Sequence, residues 1–476
     1  MPSPVSGRLL IFLTSKKFEG QEIAPDYRDP RAVWIEAEEI DKARAGQIID
    51  VVPQSAYPDT FSKLPSGSYS GMALLDVNHD YAYAGTSGRD LRGPVRQPGR
   101  LASGSVRTIN LKLDTVIPAP QPNVRDSVEV VQFGSSSLSA FWGRPIRMNA
   151  AVVLPPSYKK SSDNRYPTMY WTHGFGADFP TIVNRSAQTF VDGMASGTLP
   201  QMIYVLLDEH CPGGTHEFAD SVNNGPWGKA LTEELIPYLE QRYRMDAKPS
   251  GRLLNGHSSG GWAVLWLQVA YPDFFGGTWP TSPDPSDFHS FTGPNLLANP
   301  PQNLYRKPDG SPWMLVRLEG QDRVSLEEFA RQEAVEGGYG GQFASFEWVF
   351  SPRAQDGTPQ QLFDRQSGTI NAEVARAWEK YDIANIIHNN ADRLRPLLQD
   401  KIHLTVGTWD TFHLDEPARL LEKALQDAGI RAEFTYLDGR DHFNLYQGGL
   451  MEKITEQMMH IARPQAATAN SRMRSH

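Results

Sequence analysis

The pattern G-x-S-x-G at residues 256–260 constrains the fold of this chain more than any other feature of its sequence. The preceding residues 252–254 have the composition of a strand end, and residues 259–270 carry apolar side chains at helical spacing before Pro272. A serine placed this way is held on a sharp turn, and the two glycines allow the flanking backbone segments to pass close together. The sequence therefore predicts a nucleophile elbow with Ser258 at its tip. The competing interpretation is a glycine-rich turn without chemistry.

A serine hydroxyl is inert at its ordinary pKa, so an elbow requires a base and an acid that orients the base. In enzymes with such an elbow the chain order is serine, acid, histidine. Of the twelve histidines, His442 fits best, because residues 432–437 have the pattern of a sheet strand and His442 lies in the loop that follows. Asp438 and Asp441 are so close to it in sequence that we expect them to shape this loop. His173 precedes the serine, so we interpret it as structural.

Several carboxylates compete for the role of the acid. Asp410 is the first choice, because residues 402–406 have the pattern of the preceding sheet strand and Asp410 lies just beyond its end. Asp284, which follows the next strand after the elbow, is the runner-up. Asp415 precedes a helix start with proline in the first turn, so we interpret it as a helix cap.

The oxyanion of a tetrahedral intermediate requires two backbone N–H donors. One is expected from Ser259, the residue after the nucleophile, and the other from a loop that follows an early central strand. Residues 168–172 have the pattern of such a strand, and a His-Gly-Phe-Gly loop follows them. Phe175 is the preferred second donor, and Gly176 is its alternative.

A further loop at the sheet edge supplies candidate residues for substrate binding. Residues 202–207 read as a buried parallel strand, so the loop after them should lie at the carboxyl edge of the sheet. We therefore expect His216 and Glu217 of that loop to contact the substrate, together with Gly176 and Asp284. The histidines and carboxylates of this loop match no zinc spacing, so we predict no metal. A serine nucleophile with an acid and a base needs no cofactor.

These motifs carry a family resemblance. The residues concerned are 152–158, 173–176, 256–261, 407–410 and 439–442. The chain resembles the "Putative esterase" family, which includes esterase D, feruloyl and acetylxylan esterases, enterochelin esterases and mycolyltransferases. The resemblance covers about residues 126–462 and implies an α/β-hydrolase domain with a triad formed by Ser258, Asp410 and His442.

We accordingly expect a serine carboxylic ester hydrolase that works through an acyl-enzyme, and the resemblance points to acyl or feruloyl esters of carbohydrates. An acyltransferase would use the same triad and exclude water. The same fold could also serve a peptidase, or a non-catalytic carbohydrate-binding protein built on a hydrolase scaffold.

The pattern along the chain divides it into parts. Residues 1–120 show short strands with turn punctuation and predict a smaller all-β domain, an immunoglobulin-like sandwich, whose favoured role is packing rather than carbohydrate binding. A proline-rich linker at 118–122 leads to the α/β-hydrolase domain, residues 126–463, with a mainly parallel central sheet. The long segment 281–400 is expected to cover the active site as an insertion or cap. Residues 464–476 have the composition of a disordered tail.

The amino-acid composition of the chain restricts the classes of molecule that it can bind. A net charge of −9 disfavours nucleic acid and anionic membranes, and no apolar run is long enough to span a bilayer. A small-molecule or carbohydrate ester fits better, and no feature predicts an oligomeric state. With Cys211 as the only cysteine, no intrachain disulfide can form. The N-terminus lacks a signal-peptide pattern, so we expect a cytoplasmic protein, or a secreted or periplasmic one whose leader was removed; the resemblance favours export.

Overall fold

The computed structural model describes residues 4–16, 20, 22–101, 108–124, 126–160, 163–337 and 341–464. The predicted tail lies outside the described residues, except for Pro464. Two large sheets organise the described chain, an antiparallel one near the N-terminus and a mixed one that follows. No helix among the described residues combines the length and the apolar composition that a membrane crossing needs.

The N-terminal sheet is antiparallel throughout. Its strands are β1 (Val5–Thr14), β2 (Trp34–Ala43), β3 (Ser55–Tyr57), β4 (Gly67–Asp76), β5 (Leu91–Arg92), β6 (Arg96–Leu101) and β7 (Thr115–Val116). They follow the order β3-β2-β1-β4-β5-β7, and β6 also pairs with β4. β1 is buried on both faces, because Leu10 and Phe12 belong to one apolar cluster and Leu9 to another.

This part of the structure contains an antiparallel sheet, but it shows only part of the predicted all-β architecture, because a short helix, Tyr81–Ala84, also lies in it. The described strands of residues 5–116 form one sheet, and the two facing sheets of a sandwich are not found among them. Residues 109–113, in which apolar and polar side chains alternate along the chain, do not form a strand. Leu111 and Leu113 instead pack as loop residues against the cluster around Leu9, so the alternation reflects burial of one side of an extended loop.

The central sheet has the predicted, mainly parallel character. Its strands are β8 (Val128–Ser135), β9 (Ile146–Val153), β10 (Thr168–Thr172), β11 (Ile203–Leu207), β12 (Arg252–His257), β13 (Gly277–Thr281), β14 (His403–Gly407) and β15 (Glu433–Leu437). They follow the order β15-β14-β13-β12-β10-β11-β9-β8. The six strands β10 to β15 pair in parallel, whereas β9 pairs antiparallel with both β11 and the edge strand β8. All five residues of β11 are buried, as expected for a parallel strand covered on both faces.

Helices cover both faces of this sheet. The helices of seven or more residues are Ser136–Trp142, Gln188–Ser196, Ile236–Arg242, Ser259–Ala270, Leu326–Glu336, Gln342–Phe350, Ala372–Trp378, Ile383–Asn389, Ala391–Leu398, Asp415–Asp427 and Leu450–Ala462. Ser259–Ala270, the elbow helix, is buried almost all round. Such a helix has no solvent face and belongs in the core, between the sheet and other elements.

The segment between β13 and β14 contains a hairpin, Met314–Leu318 with Gln321–Ser325, and helices that pack around it. Side chains cap two of these helices at their N-termini. Ser325 and Glu328 form a complete capping box, and the Asn371 side chain accepts hydrogen bonds at the start of Ala372–Trp378.

A buried arginine fastens the N-terminal sheet to this segment. Arg8 donates two hydrogen bonds to the carbonyl oxygen of Val335, at 3.0 and 2.8 Å, and a third to Glu39. Val335 lies in the last turn of the helix Leu326–Glu336, where carbonyl groups lack partners within the helix. The guanidinium therefore satisfies a helix end that belongs to another part of the chain.

We predict that Arg8→Met lowers the free energy of unfolding by about 1–3 kcal/mol, because it leaves a buried carbonyl oxygen without its donor. Thermal or denaturant unfolding measures the effect. Arg44→Met at an exposed position is the matched control and should change stability by less than about 0.5 kcal/mol. Equal stability of the two variants would contradict the role given to Arg8.

Candidate active site

Ser258 lies on a strained turn between β12 and the elbow helix. Its φ of 59° and ψ of −126° are values that residues with a side chain rarely adopt. The Ser258 N–H donates to the Thr281 carbonyl oxygen at 3.0 Å, which ties the turn to the end of β13. The half-buried Ser258 thus has the backbone geometry that the elbow pattern predicted.

The two glycines of the pattern are needed for clearance. A Cβ atom added to Gly256 would lie 2.1 Å from the Gly260 carbonyl oxygen, and one added to Gly260 would lie 2.4 Å from the His173 carbonyl oxygen. Both obstacles are backbone atoms, which cannot swing away as a side chain does. The strand end, the elbow helix and the loop after β10 therefore meet at contact distances that only glycine permits.

The acid and the histidine form a buried hydrogen-bonded pair. His442 Nδ1 lies 2.9 Å from Asp410 Oδ2, and both side chains are almost fully buried. The other oxygen, Asp410 Oδ1, accepts hydrogen bonds from the N–H groups of Phe412 and Leu414. Burial opposes ionisation of Asp410, but the adjacent imidazole and these donors hold its pKa below the ordinary value. Because Nδ1 is engaged, Nε2 is the nitrogen left to exchange a proton.

This pair lies next to the elbow. The imidazole of His442 is 4.5 Å, centre to centre, from the ring of His257, the residue before Ser258. Burial raises the pKa of Asp284 to about 6, while hydrogen bonds from Ser259 and Ser258 and the charge of His442 act in the opposite direction. Residues from β12, from the loop after β14 and from the loop after β15 therefore converge at one place.

The remaining carboxylates take other positions. Asp284 Oδ2 accepts a 2.6 Å hydrogen bond from Ser259 Oγ, and its side chain is buried. The partner of His442 Nδ1 is Asp410 rather than this runner-up. Asp441 Oδ1 accepts hydrogen bonds from two N–H groups within its own loop, and Asp438 Oδ1 accepts one from Thr408 Oγ1. Both shape the loop around His442, as predicted.

The prediction that Asp415 caps a helix is wrong. Asp415 is the first residue of the helix Asp415–Asp427, and its side chain makes no capping hydrogen bond. It accepts a 2.8 Å hydrogen bond from Arg317 Nη2 in a partly buried ion pair. Arg317 also donates twice to the Asp410 carbonyl oxygen, at 3.1 and 2.9 Å. The acid loop is thus held by a residue of the hairpin, and the only sequence signal for it is an arginine inside the otherwise apolar strand 314–318.

The loop after β10 passes directly over the elbow. A Cβ atom added to Gly174 would lie 2.9 Å from Ser258 Cβ. His173, which is buried, shapes the loop, because its Nε2 accepts a hydrogen bond from the Glu209 N–H and its Nδ1 lies 3.0 Å from the Gly174 carbonyl oxygen. This supports the structural role assigned to His173. Ser259 is the first residue of the elbow helix, so its N–H has no partner within the helix.

A residue from the N-terminal region supports the same loop. The Tyr83 ring lies 4.7 Å from the Phe175 ring in an edge-to-face arrangement, and its hydroxyl donates to the Ala177 carbonyl oxygen at 2.8 Å. Gly176, exposed and with φ of 82°, lies against the Tyr83 backbone. No motif marked Tyr83, because its contact with the loop depends entirely on how the two sheets are placed.

The predicted substrate contacts at His216 and Glu217 are corrected by the structure. Both side chains are fully buried. The His216 ring stacks on Trp227 at 3.7 Å, and burial lowers the pKa of His216 to about 3, so the ring is neutral. Burial, followed by the neighbouring Asp284 and Glu209, raises the pKa of Glu217 well above its ordinary value. The loop after β11 folds inward, so both residues lie in the core beneath the site.

Two groups of side chains among the described residues have metal-ligand spacing: Asp76 with Asp80 and Asp90, and Asp287 with His289 and Asp382. Four of these five carboxylates already accept hydrogen bonds from turn and helix-start N–H groups, and Asp80 accepts one from the Ser87 hydroxyl. Their arrangement is therefore explained by loop geometry without an ion.

The model of a family described as "Putative esterase" matches residues 144–453. The fold and the site define an α/β-hydrolase-type protein. The chain belongs to the "Putative esterase" family.

Individual relatives match shorter stretches. Esterase Rv1288 of Mycobacterium tuberculosis is 28% identical over 127 residues, which is 26% of this chain and 26% of the relative. An endo-1,4-beta-xylanase/feruloyl esterase of Xylanibacter ruminicola is 26% identical over 171 residues, 34% of this chain and 23% of that protein. The chain thus spans about a quarter of the length of these relatives.

Among solved structures, a ferulic acid esterase has a TM-score of 0.44 at 16% identity, covering 70% of this chain and 98% of its own. An S-formylglutathione hydrolase from Agrobacterium tumefaciens has a TM-score of 0.43 at 15% identity, covering 71% and 98%.

We predict that Gly256→Ala lowers the free energy of unfolding by about 1–3 kcal/mol, because the added methyl group overlaps backbone atoms of the elbow helix. Gly134→Ala in β8 is the matched control, since a Cβ atom there meets nothing within 4 Å. Thermal unfolding of both variants tests the difference. A Gly256→Ala protein as stable as the control would show that the elbow is looser than described.

Proposed function

We propose that this protein is a serine carboxylic ester hydrolase that works through an acyl-enzyme, with Ser258 as nucleophile, His442 as base and Asp410 as the acid. One observation carries the proposal. The buried 2.9 Å contact between His442 Nδ1 and Asp410 Oδ2 lies beside a serine held at an unfavourable φ. Strained backbone and a buried histidine–carboxylate pair are each costly, and their coincidence is explained by acyl transfer.

In the proposed reaction, His442 Nε2 takes the proton of Ser258 as the serine oxygen bonds to the ester carbonyl carbon. The bond to the alcohol oxygen then breaks, and the proton passes from His442 to the leaving alcohol. Water attacks the acyl-enzyme in the same way, releases the carboxylic acid and restores Ser258. Asp410 holds the imidazole in the required tautomer and balances its positive charge.

The N–H groups of Phe175 and Ser259 are the proposed oxyanion donors. The close approach of Gly174 to Ser258 and the position of Ser259 at the helix start support this assignment. Each such donor typically contributes about 10²–10³ in rate. Gly176 remains a proposed substrate contact, because it is exposed in the same loop. Asp284 is better explained as a partner of Ser259 than as a substrate contact.

Esters of carbohydrates with acyl or feruloyl groups are the proposed substrates. The similarity to a protein named as a feruloyl esterase supports this class. We further propose the division predicted from sequence, with an N-terminal domain at 1–120, a catalytic domain at 126–463 and a cap at 281–400. Contacts of Arg317 and Gln342 with the acid loop and the elbow region support the cap.

We predict that Ser258→Ala lowers kcat for p-nitrophenyl acetate by about 10⁶-fold, because the nucleophile is lost. Fluorophosphonate labelling, read by intact mass, should modify the wild type once and leave Ser258→Ala unlabelled. Circular dichroism confirms that the variant folds. Labelling or turnover retained in a folded Ser258→Ala protein would refute the assignment.

The same preparation separates the hydrolase from an acyltransferase. Product analysis with an added acceptor alcohol should yield mainly free carboxylic acid. Predominant transfer to the alcohol at low acceptor concentration would favour the transferase, which uses the same three residues.

Replacing each of the two competing carboxylates by its amide provides an independent test of the acid. We predict that Asp410→Asn lowers kcat by about 10⁴-fold, because the neutral amide cannot balance the charge of the imidazolium and its NH2 group, facing His442 Nδ1, favours the wrong tautomer. Asp284→Asn keeps the shape and should cost less than about tenfold, since Asp284 bonds to Ser259 rather than to His442. Steady-state kinetics of both variants show which carboxylate acts as the acid. The reverse order of effects would move the acid role to Asp284.

A further inference from the structure

Four aromatic rings from separate parts of the chain gather beside His442. Phe412 and Phe443 contact the imidazole edge to face, with ring centres 4.9 and 5.2 Å away. Tyr27 packs against both of these rings at 5.8 and 6.5 Å and against Phe329 at 6.4 Å. We call these four residues, Tyr27, Phe329, Phe412 and Phe443, the aromatic cluster.

The aromatic cluster presents apolar surface to solvent. Phe443 is 64% exposed, more than any other phenylalanine or tryptophan that the structure describes, and the other three rings are only partly buried. Stability alone gives little reason to hold an exposed phenylalanine against a buried histidine. Clustered exposed rings of this kind mark binding surfaces.

The nearest charges on this surface are engaged by partners. Arg28 makes two hydrogen bonds to the Asp26 carboxylate, at 2.9 and 3.1 Å, and its guanidinium lies 5.9 Å from the centre of the Tyr27 ring. The carboxylate of Asp441 accepts N–H groups of its own loop. The surface is therefore made mainly of aromatic rings, which favours an uncharged group with a flat apolar face.

The chemistry of the proposed reaction identifies which part of an ester lies here, so this step rests on the proposed function. His442 Nε2 must come within about 3 Å of the leaving alcohol oxygen to protonate it. The substituent on that oxygen then lies within a few bonds of the rings that contact the imidazole. The oxyanion donors lie instead on the side of the loop after β10, near Gly174.

We propose that the aromatic cluster is a subsite for the alcohol part of the ester, and that it selects alcohols carrying a ring with a flat apolar face. Phe412 and Phe443 contact the group nearest the reacting oxygen, and Tyr27 with Phe329 extends the surface outward. Because Tyr27 lies before β2, the N-terminal region contributes directly to substrate selection rather than only packing on the catalytic part.

Matched esters test this subsite. The acetates of 2-naphthylmethanol and of ethanol differ in the ring on the alcohol side, whereas their leaving groups have similar basicity. We predict that wild type prefers the naphthylmethyl ester in kcat/KM, and that Tyr27→Ala and Phe443→Ala each lower this preference by about threefold to tenfold. Because the measured quantity is the ratio of kcat/KM for the two esters, a general loss of activity in a variant does not change it. The Phe141→Ala control, at an exposed ring whose neighbours are Trp142 and Arg353, should leave the ratio unchanged.

A second pair of esters, with the ring on the acyl side, tests whether the aromatic cluster binds the alcohol part or the acyl part. Ethyl 2-naphthylacetate and ethyl acetate carry the ring on the acyl side, and their ratio should not respond to Tyr27→Ala. A response of the acyl ratio instead of the alcohol ratio, or an unchanged alcohol ratio in both folded variants, would overturn the subsite. Failure of the wild type to turn over any of these esters would instead refute the proposed function, so the two failures are distinguishable.

Discussion

The close crossing of three backbone segments at the elbow is the constraint on which the site depends. Gly256, Gly260 and Gly174 bring the end of β12, the start of the elbow helix and the loop after β10 to distances that a Cβ atom would prevent. This crossing forces Ser258 into its positive φ and brings the loop of Phe175 over it. The strain is sustained because the elbow helix is buried on almost every side.

Around this crossing, the other elements hold the site residues in position and contribute few reacting groups. Arg317 from the hairpin holds the carbonyl group of Asp410, and Tyr83 from the N-terminal region holds the loop of Phe175. The fully buried Glu217 and His216 lie in the core below. The N-terminal sheet is fixed to the segment before β14 through Arg8. A functional site of a few residues is thus oriented by contacts from every large part of the chain.

Sequence reasoning succeeded where local pattern and chain order carry the information. The elbow, the strands before Asp410 and His442 and the parallel sheet all follow from hydrophobic periodicity and turn chemistry. It failed where a residue's environment depends on distant segments. The sequence predicts that His216 and Glu217 contact the substrate, but both side chains are fully buried, and the His216 ring stacks on Trp227. Asp415 precedes a proline as a cap would, yet the distant Arg317 takes its carboxylate.

By itself the sequence determined which residues could carry acyl-transfer chemistry, because a nucleophile, a base and an acid each need a specific residue type at a strand end. Only the tertiary structure decided which acid reaches His442 and which loop residues face inward. It alone brought Tyr27, Phe329, Phe412 and Phe443 together. The reason is physical. Local pattern fixes where a side chain leaves the backbone, whereas its partners are set by how sheets and helices pack over separations of hundreds of residues.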